Sequence, residues 1–223
     1  MCMAGCSKPS PPAPGSGSKS SPAATCSPIP STIPKNCEDA PKCVNIPDDV
    51  NKKMGEQWGK SFPGGKSQEQ GGTLVRDKDG NLKVVNTDTA SSTGGTFSAD
   101  EKVPADTKMV GVFHTHPYDK SEGGMTNVSF SGGDIANVIN NSNRDMGIVQ
   151  SGDGQFLIMK TAETPASVDY DKLNQDQNDR VAELQKGGKS FDEASRIAAK
   201  ETAQKYKMAY YEGKDGVLNR VSC

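Results

Sequence analysis

The chain has 223 residues and a formal net charge of −2, so nothing in its electrostatics calls for a nucleic-acid partner. Apolar residues make up 32%, and adding the 24 glycines still leaves the chain slightly under the ~45–50% of an ordinary globular domain. That deficit describes a real core diluted by a polar segment, and no apolar run approaches the ~18 residues of a membrane span.

The N-terminal Met-Cys-Met-Ala-Gly-Cys6 looks like a lipoprotein cleavage box, but no basic or apolar region precedes it, so it does not work as a signal peptide as it stands. Ten of the 14 prolines fall between Pro9 and Pro47, among Ser, Gly, Ala and Lys. Such a composition does not bury enough apolar area to offset its chain entropy. Residues 1–46 therefore read as a disordered Pro/Ser/Gly-rich linker. Five of the six cysteines lie in the first 43 residues and Cys223 is last. They are disulfides in an oxidising space or thiols on a mobile tail, and the core between them needs no cysteine.

The domain reads as 47–223. Pro47 followed by Asp48 and Asp49 predicts a helix start, with the helix running to about Gly59. Two apolar stretches around Asp77-Lys-Asp-Gly80 predict a hairpin over 71–86. Lys108 to His116 reads as a third strand and Ser131 to Asn140 as a helix. Residues 146–149 and 155–160 flank the turn at 151–154 as a second hairpin. Helices follow over about 167–185 and from the cap Ser190 to about Tyr210, then a last short strand at 217–221. The alternation predicts an α/β domain with one mixed or antiparallel sheet.

The only two histidines, His114 and His116, stand at i and i+2 near a strand end, where side chains share one face. Alone, a His-x-His pair is most simply a surface feature. Zinc catalysis needs about three protein ligands, a position open to water and a nearby carboxylate to move protons. Asp134, in the first turn of the next helix, supplies a third ligand. Glu69, at the start of an earlier strand, supplies a general base. Ser131 and Asp134 also have the spacing of a capping box, which is compatible with ligation because a cap aims the first turn. Thr115 points to the opposite face and is structural, and Trp58 packs.

In order and identity, Glu69, His114-Thr115-His116-Pro117 and Ser131-Gly-Gly-Asp134 resemble the signature of the JAMM (MPN, or JAB) zinc metallopeptidases. The likeness covers about residues 65–160. Within that family the phrases look most like the JAB-like toxin domains of bacterial polymorphic toxins. The resemblance implies an MPN-like (cytidine-deaminase-like) mixed sheet sandwiched by helices. It also implies Zn2+ held by His114, His116 and Asp134, with Glu69 as base and acid and Ser131 as oxyanion donor. The implied substrate is a protein or peptide cut at a peptide or isopeptide bond. The implied biology is an effector secreted or delivered into a target cell, for example by type VI secretion, with a secretion-apparatus carrier and an immunity protein as partners. The family usually spaces the second histidine and the aspartate by ten residues. Here 17 intervene, Pro117 to Gly133, so the inserted loop stands beside the metal position. Two other classes fit the same residues: a non-catalytic binding module on this fold, and a metal-dependent hydrolase of peptidoglycan or nucleic acid.

Overall fold

The computed structural model describes residues 25–93 and 96–223. Strands β1 (Ser27–Pro28) and β2 (Cys43–Asn45) lead to helix α1 (Asp48–Gly59). Strands β3 (Gly71–Asp77) and β4 (Leu82–Val85) form a hairpin, and β5 (Ser91–Thr93) pairs with β6 (Thr96–Ser98) in a small separate sheet. Strand β7 (Thr107–Thr115) is followed by helix α2 (Gly132–Asn140), then by β8 (Met146–Ser151) and β9 (Gly154–Met159). Helices α3 (Tyr170–Lys186) and α4 (Phe191–Lys205) precede the closing strands β10 (Ala209–Lys214) and β11 (Val217–Ser222).

The main sheet runs β1-β2-β11-β10-β9-β8-β7-β3-β4. It is mixed: β1/β2 and β7/β8 pair in parallel and the other neighbours antiparallel. Every residue of β8 and β9 is buried, as expected of strands covered on both faces. Leu157 and Met159 point to the side of Val50 and Met54 from α1, while Phe156 and Ile158 point to Ile135, Ile139, Leu173 and Ala199 from α2, α3 and α4. Ile148, Leu157 and Ile158 are fully buried, and such side chains are worth about 1.5–3 kcal/mol each. The result is three layers, with α1 on one face of the sheet and the other three helices on the opposite face.

Residues 25–46 correct the expectation of a linker reaching 46. Cys26 is bonded to Cys43 and Cys37 to Cys223, and β2 pairs with β11. Arg76 donates to the carbonyls of Ile29 and Pro30, at 3.0 and 2.6 Å, and Arg220 donates to those of Cys37, Glu38 and Ala40. Covalent links and arginine–carbonyl bonds order a segment that its composition does not. The rest of the expected linker, 1–24, with Cys2 and Cys6, lies outside the described residues.

The expectation of helix to Tyr210 is also corrected. Helix α4 stops at Lys205, where Met208 N–H donates to Ala203 O at 2.8 Å and Lys207 takes a left-handed φ of 58°. Glycine usually fills that position. With Lys207 there, no stop signal is written in the sequence, and strand β10 begins four residues after the helix ends.

Candidate metal centre

The chain crosses from β7 to its parallel neighbour β8 through α2. Ligands bind characteristically at the carboxyl ends of such strands, and this is where the histidines lie. His114 is the penultimate residue of β7, and His116 follows Thr115 with its N–H donating to Gln150 O at 2.9 Å. Thr115 faces the other way, its hydroxyl 2.8 Å from Ser61 Oγ and accepting from Gln70 N–H at 2.9 Å.

The β3–β7 register brings Glu69 to the histidines. Gly71 lies opposite His114. Thr115 N–H donates to Gln70 O at 2.8 Å, so the pairing continues one residue further and sets Glu69 level with His116. Gly71 has no room for a side chain: a Cβ would fall 2.1 Å from Phe113 O and 2.8 Å from the Phe97 ring. Phe97 in turn stacks on His114, with centroids 5.9 Å apart and planes 7° from parallel.

Asp134 enters from α2. Ser131 is the N-cap, its hydroxyl accepting from Asp134 N–H at 3.1 Å. The Ser131 amide and hydroxyl both donate to Asp134 Oδ2, at 2.8 and 2.7 Å. This reciprocal cap directs the carboxylate to the two rings. Asp134 Oδ1 is 3.3 Å from His114 Nε2, Oδ2 is 3.4 Å from His116 Nε2, and the two Nε2 atoms are 2.9 Å apart. Tetrahedral ligation at about 2.0–2.1 Å places neighbouring donors roughly 3.3 Å apart. The three side chains, whose donor atoms all lie within 4.8 Å of one another, therefore match a small divalent ion in spacing and donor type.

Charge supports the same point. Burial opposes protonation of His114, but the Asp134 carboxylate outweighs it and the imidazole is raised above its ordinary range. Burial likewise opposes ionisation of Asp134, and His114 and His116 overcome it, holding the carboxyl well below its ordinary range. A cation replacing protons on the rings would meet a carboxylate already ionised. Glu69 differs. Burial raises its proton affinity more than the histidines lower it, and Asp134 adds to the rise.

Four residues that support the centre, Ser129, Ser195, Tyr210 and Glu212, have no signal in the sequence. His116 Nδ1 lies 3.0 Å from Ser129 O. A carbonyl only accepts, so this bond puts the proton on Nδ1 and leaves the Nε2 lone pair facing Asp134. Ser129 is held by α4 and β10: its N–H donates to Ser195 Oγ at 2.8 Å, and its hydroxyl is 2.7 Å from Tyr210 OH. Tyr210 donates onward to Glu212 at 2.9 Å, so the Ser129 hydroxyl is the donor to Tyr210. The C-terminal helices and strands are thus the outer support of His116 as well as a cover on the sheet.

The histidines, Asp134 and Glu69 open on a groove of about 840 Å3, also walled by Phe97, Tyr118 and Tyr170. The Tyr118 phenol is pushed up to about 12 by burial and by the charges of Glu69, Asp134 and Glu122. Ser131 is exposed, and its hydroxyl proton is engaged by Asp134. No family profile, no curated protein and no solved structure matches the chain. Among the described residues, no helix is long and apolar enough to cross a membrane.

Proposed function

We propose that the chain is a zinc-dependent metallopeptidase of the JAMM (MPN, JAB) type, hydrolysing peptide or isopeptide bonds as a delivered bacterial effector. The observation that carries this reading is the meeting of His114, His116 and Asp134 at ligand spacing, with Glu69 level with His116 across the β3–β7 pair. The mixed sheet between helices and the β7–α2–β8 crossover agree with an MPN-like fold. Two imidazoles and one carboxylate are the donor set of a catalytic zinc site, which would keep a position open for water or substrate. Zinc held there supplies a Lewis acid that polarises a carbonyl and acidifies water.

The chain's own residues do the rest. His116 is kept in one tautomer by Ser129, and Asp134 is kept ionised and aimed by the cap at Ser131. Glu69, with its proton affinity raised by burial, is suited to take a proton from water and return it to a leaving amine near neutral pH. Ser131, the oxyanion donor that the resemblance implies, also holds Asp134 Oδ2 through its hydroxyl and amide.

Elemental analysis of protein refolded with zinc tests the reading. The expected stoichiometry is about one zinc per chain, lost in His116→Ala. Glu69→Gln should keep the metal and lose hydrolysis of a mixed peptide and ubiquitin-like conjugate panel. A wild-type chain that takes up no metal ends the proposal. Loaded protein inactive on that panel but active on peptidoglycan moves the substrate class and keeps the centre.

A further inference from the structure

The stretch after His116-Pro117 is fastened at both ends. Asp119 caps a 3-10 turn, Lys120–Glu122: its Oδ1 accepts from Ser121 N–H at 2.7 Å, and Glu122 Oε2 accepts from Asp119 N–H at 3.0 Å. The same two carboxylates reach across to the segment that leads into Glu69. Asp119 Oδ2 accepts from Ser67 N–H at 3.2 Å, and Glu122 Oε2 accepts from the Ser67 hydroxyl. Lys66 adds contacts to Ser121 Oγ at 3.3 Å and to Asp119 at 3.8 Å. At the far end, Asn127 N–H donates to Ser151 O at 2.9 Å and Val128 N–H to Ser151 Oγ at 3.1 Å. So many bonds make the inserted stretch a fixed wall of the groove, joined to the Glu69 segment, in place of a lid.

Tyr118 is the residue this wall presents. It stands between Pro117 and Asp119, both buried, and its ring meets Phe191 edge-on at 5.8 Å. Its side chain lines the groove with Glu69, both histidines and Asp134. Among the described residues its hydroxyl has no hydrogen-bond partner. The Ser131 hydroxyl, also at the centre, has its proton engaged by Asp134, and the Tyr170 phenol lies against Gly133 on a more exposed side chain.

We propose that the Tyr118 phenol is a side-chain donor to the scissile carbonyl oxygen, on which negative charge develops as water adds, and that Ser67, Asp119 and Glu122 position it. The proposal rests on the metallopeptidase reading. A neutral phenol suits this role because it donates one hydrogen bond without adding charge, and its neighbours on both sides fix it before substrate arrives.

Acetohydroxamate, an anionic probe of metal-bound sites, tests this without a known substrate. Its dissociation constant is measured by calorimetry on zinc-loaded protein whose metal content and thermal midpoint are recorded first. Tyr118→Phe keeps the ring against Phe191 and removes only the donor. A hydrogen bond to a charged group predicts affinity about 10- to 100-fold weaker, with zinc content unchanged. Ser67→Ala keeps the phenol and loosens the clamp, so it should weaken the probe by a smaller factor, and it carries the test if Tyr118→Phe does not fold. Equal affinity in wild type and Tyr118→Phe overturns the donor role. Equal affinity in Ser67→Ala overturns the positioning role. A wild type that binds no zinc overturns the metallopeptidase reading on which both stand.

Discussion

His116 Nδ1 donates to the carbonyl of Ser129 at 3.0 Å, and Ser129 in turn hangs on Tyr210 through its hydroxyl. A candidate ligand on one side of the sheet's βαβ crossover is thereby tied to a strand that the chain makes 94 positions later, since Tyr210 follows His116 by that separation. The tie fixes a tautomer, and a tautomer decides whether a ring nitrogen is a ligand at all.

Tyr210→Phe tests this tie. The substitution leaves the ring packed and cuts the Ser129–Tyr210–Glu212 chain. Loss of an outer-shell partner lowers metal affinity by about 10- to 100-fold. Competition with a chromogenic chelator measures it, and an unchanged affinity would show that Ser129 is held well enough by Ser195 alone.

Gly71→Ala brings a methyl into the space of Phe113 O and the Phe97 ring. The β3 chain has to move off β7, carrying Glu69 with it. Overpacking of this kind costs about 1–3 kcal/mol, read from the urea midpoint. The variant should also lose hydrolysis out of proportion to its stability, because the register at Glu69 opens.

Reduction of the disulfides separates stability from chemistry. Cys37–Cys223 spans 186 positions, and a link closing so long a loop stabilises by about 2–5 kcal/mol. Cys37→Ser/Cys223→Ser should therefore melt earlier than the wild type. Zinc affinity should change little as long as Tyr210 stays paired with Ser222, because Cys223 adjoins β11, four strand spacings of about 4.8 Å, roughly 19 Å, from β7.

Asp119 makes a pH signature. The Ser121 hydroxyl first, then the Ser121 and Ser67 amides and Lys66, hold its carboxyl down to about 2, against an ordinary 3.8. A depressed carboxyl contributes stability that is present above its ordinary value and is lost as pH falls through the folded one. Asp119→Ala should therefore lower the thermal midpoint at neutral pH, and its gap from the wild type should narrow between about pH 4 and pH 2. A gap that stays constant over that range would show that the bonds to the carboxylate are not what the loop loses.

The site was more legible than its surroundings. His114 and His116 share a face because strand side chains alternate, and Ser131 and Asp134 stand at capping spacing. Both are rules of a few residues' range, and the structure brings those four together with Glu69. The β3–β4 and β8–β9 hairpins follow from their turns in the same way. Strands β1 and β2 were hidden because proline-rich composition predicts disorder, while order there comes from Cys37–Cys223, Cys26–Cys43 and two arginines distant in the chain. Strand β10 was hidden because Lys207 takes the backbone turn that glycine usually announces.

What the sequence determined by itself is the candidate set, the three possible donors His114, His116 and Asp134 with Glu69 beside them, and the local geometry of the strand and helix cap that bear the three donors. Tertiary structure alone decided that Glu69 stands level with His116, that Ser129 and Tyr210 set the tautomer, and that the inserted residues form a wall bearing Tyr118. Periodicity and capping act over a turn or a pleat and are written in neighbouring residues. Register, disulfides and buried hydrogen-bond chains join residues tens of positions apart, and their energies exist only once the chain has brought those residues together.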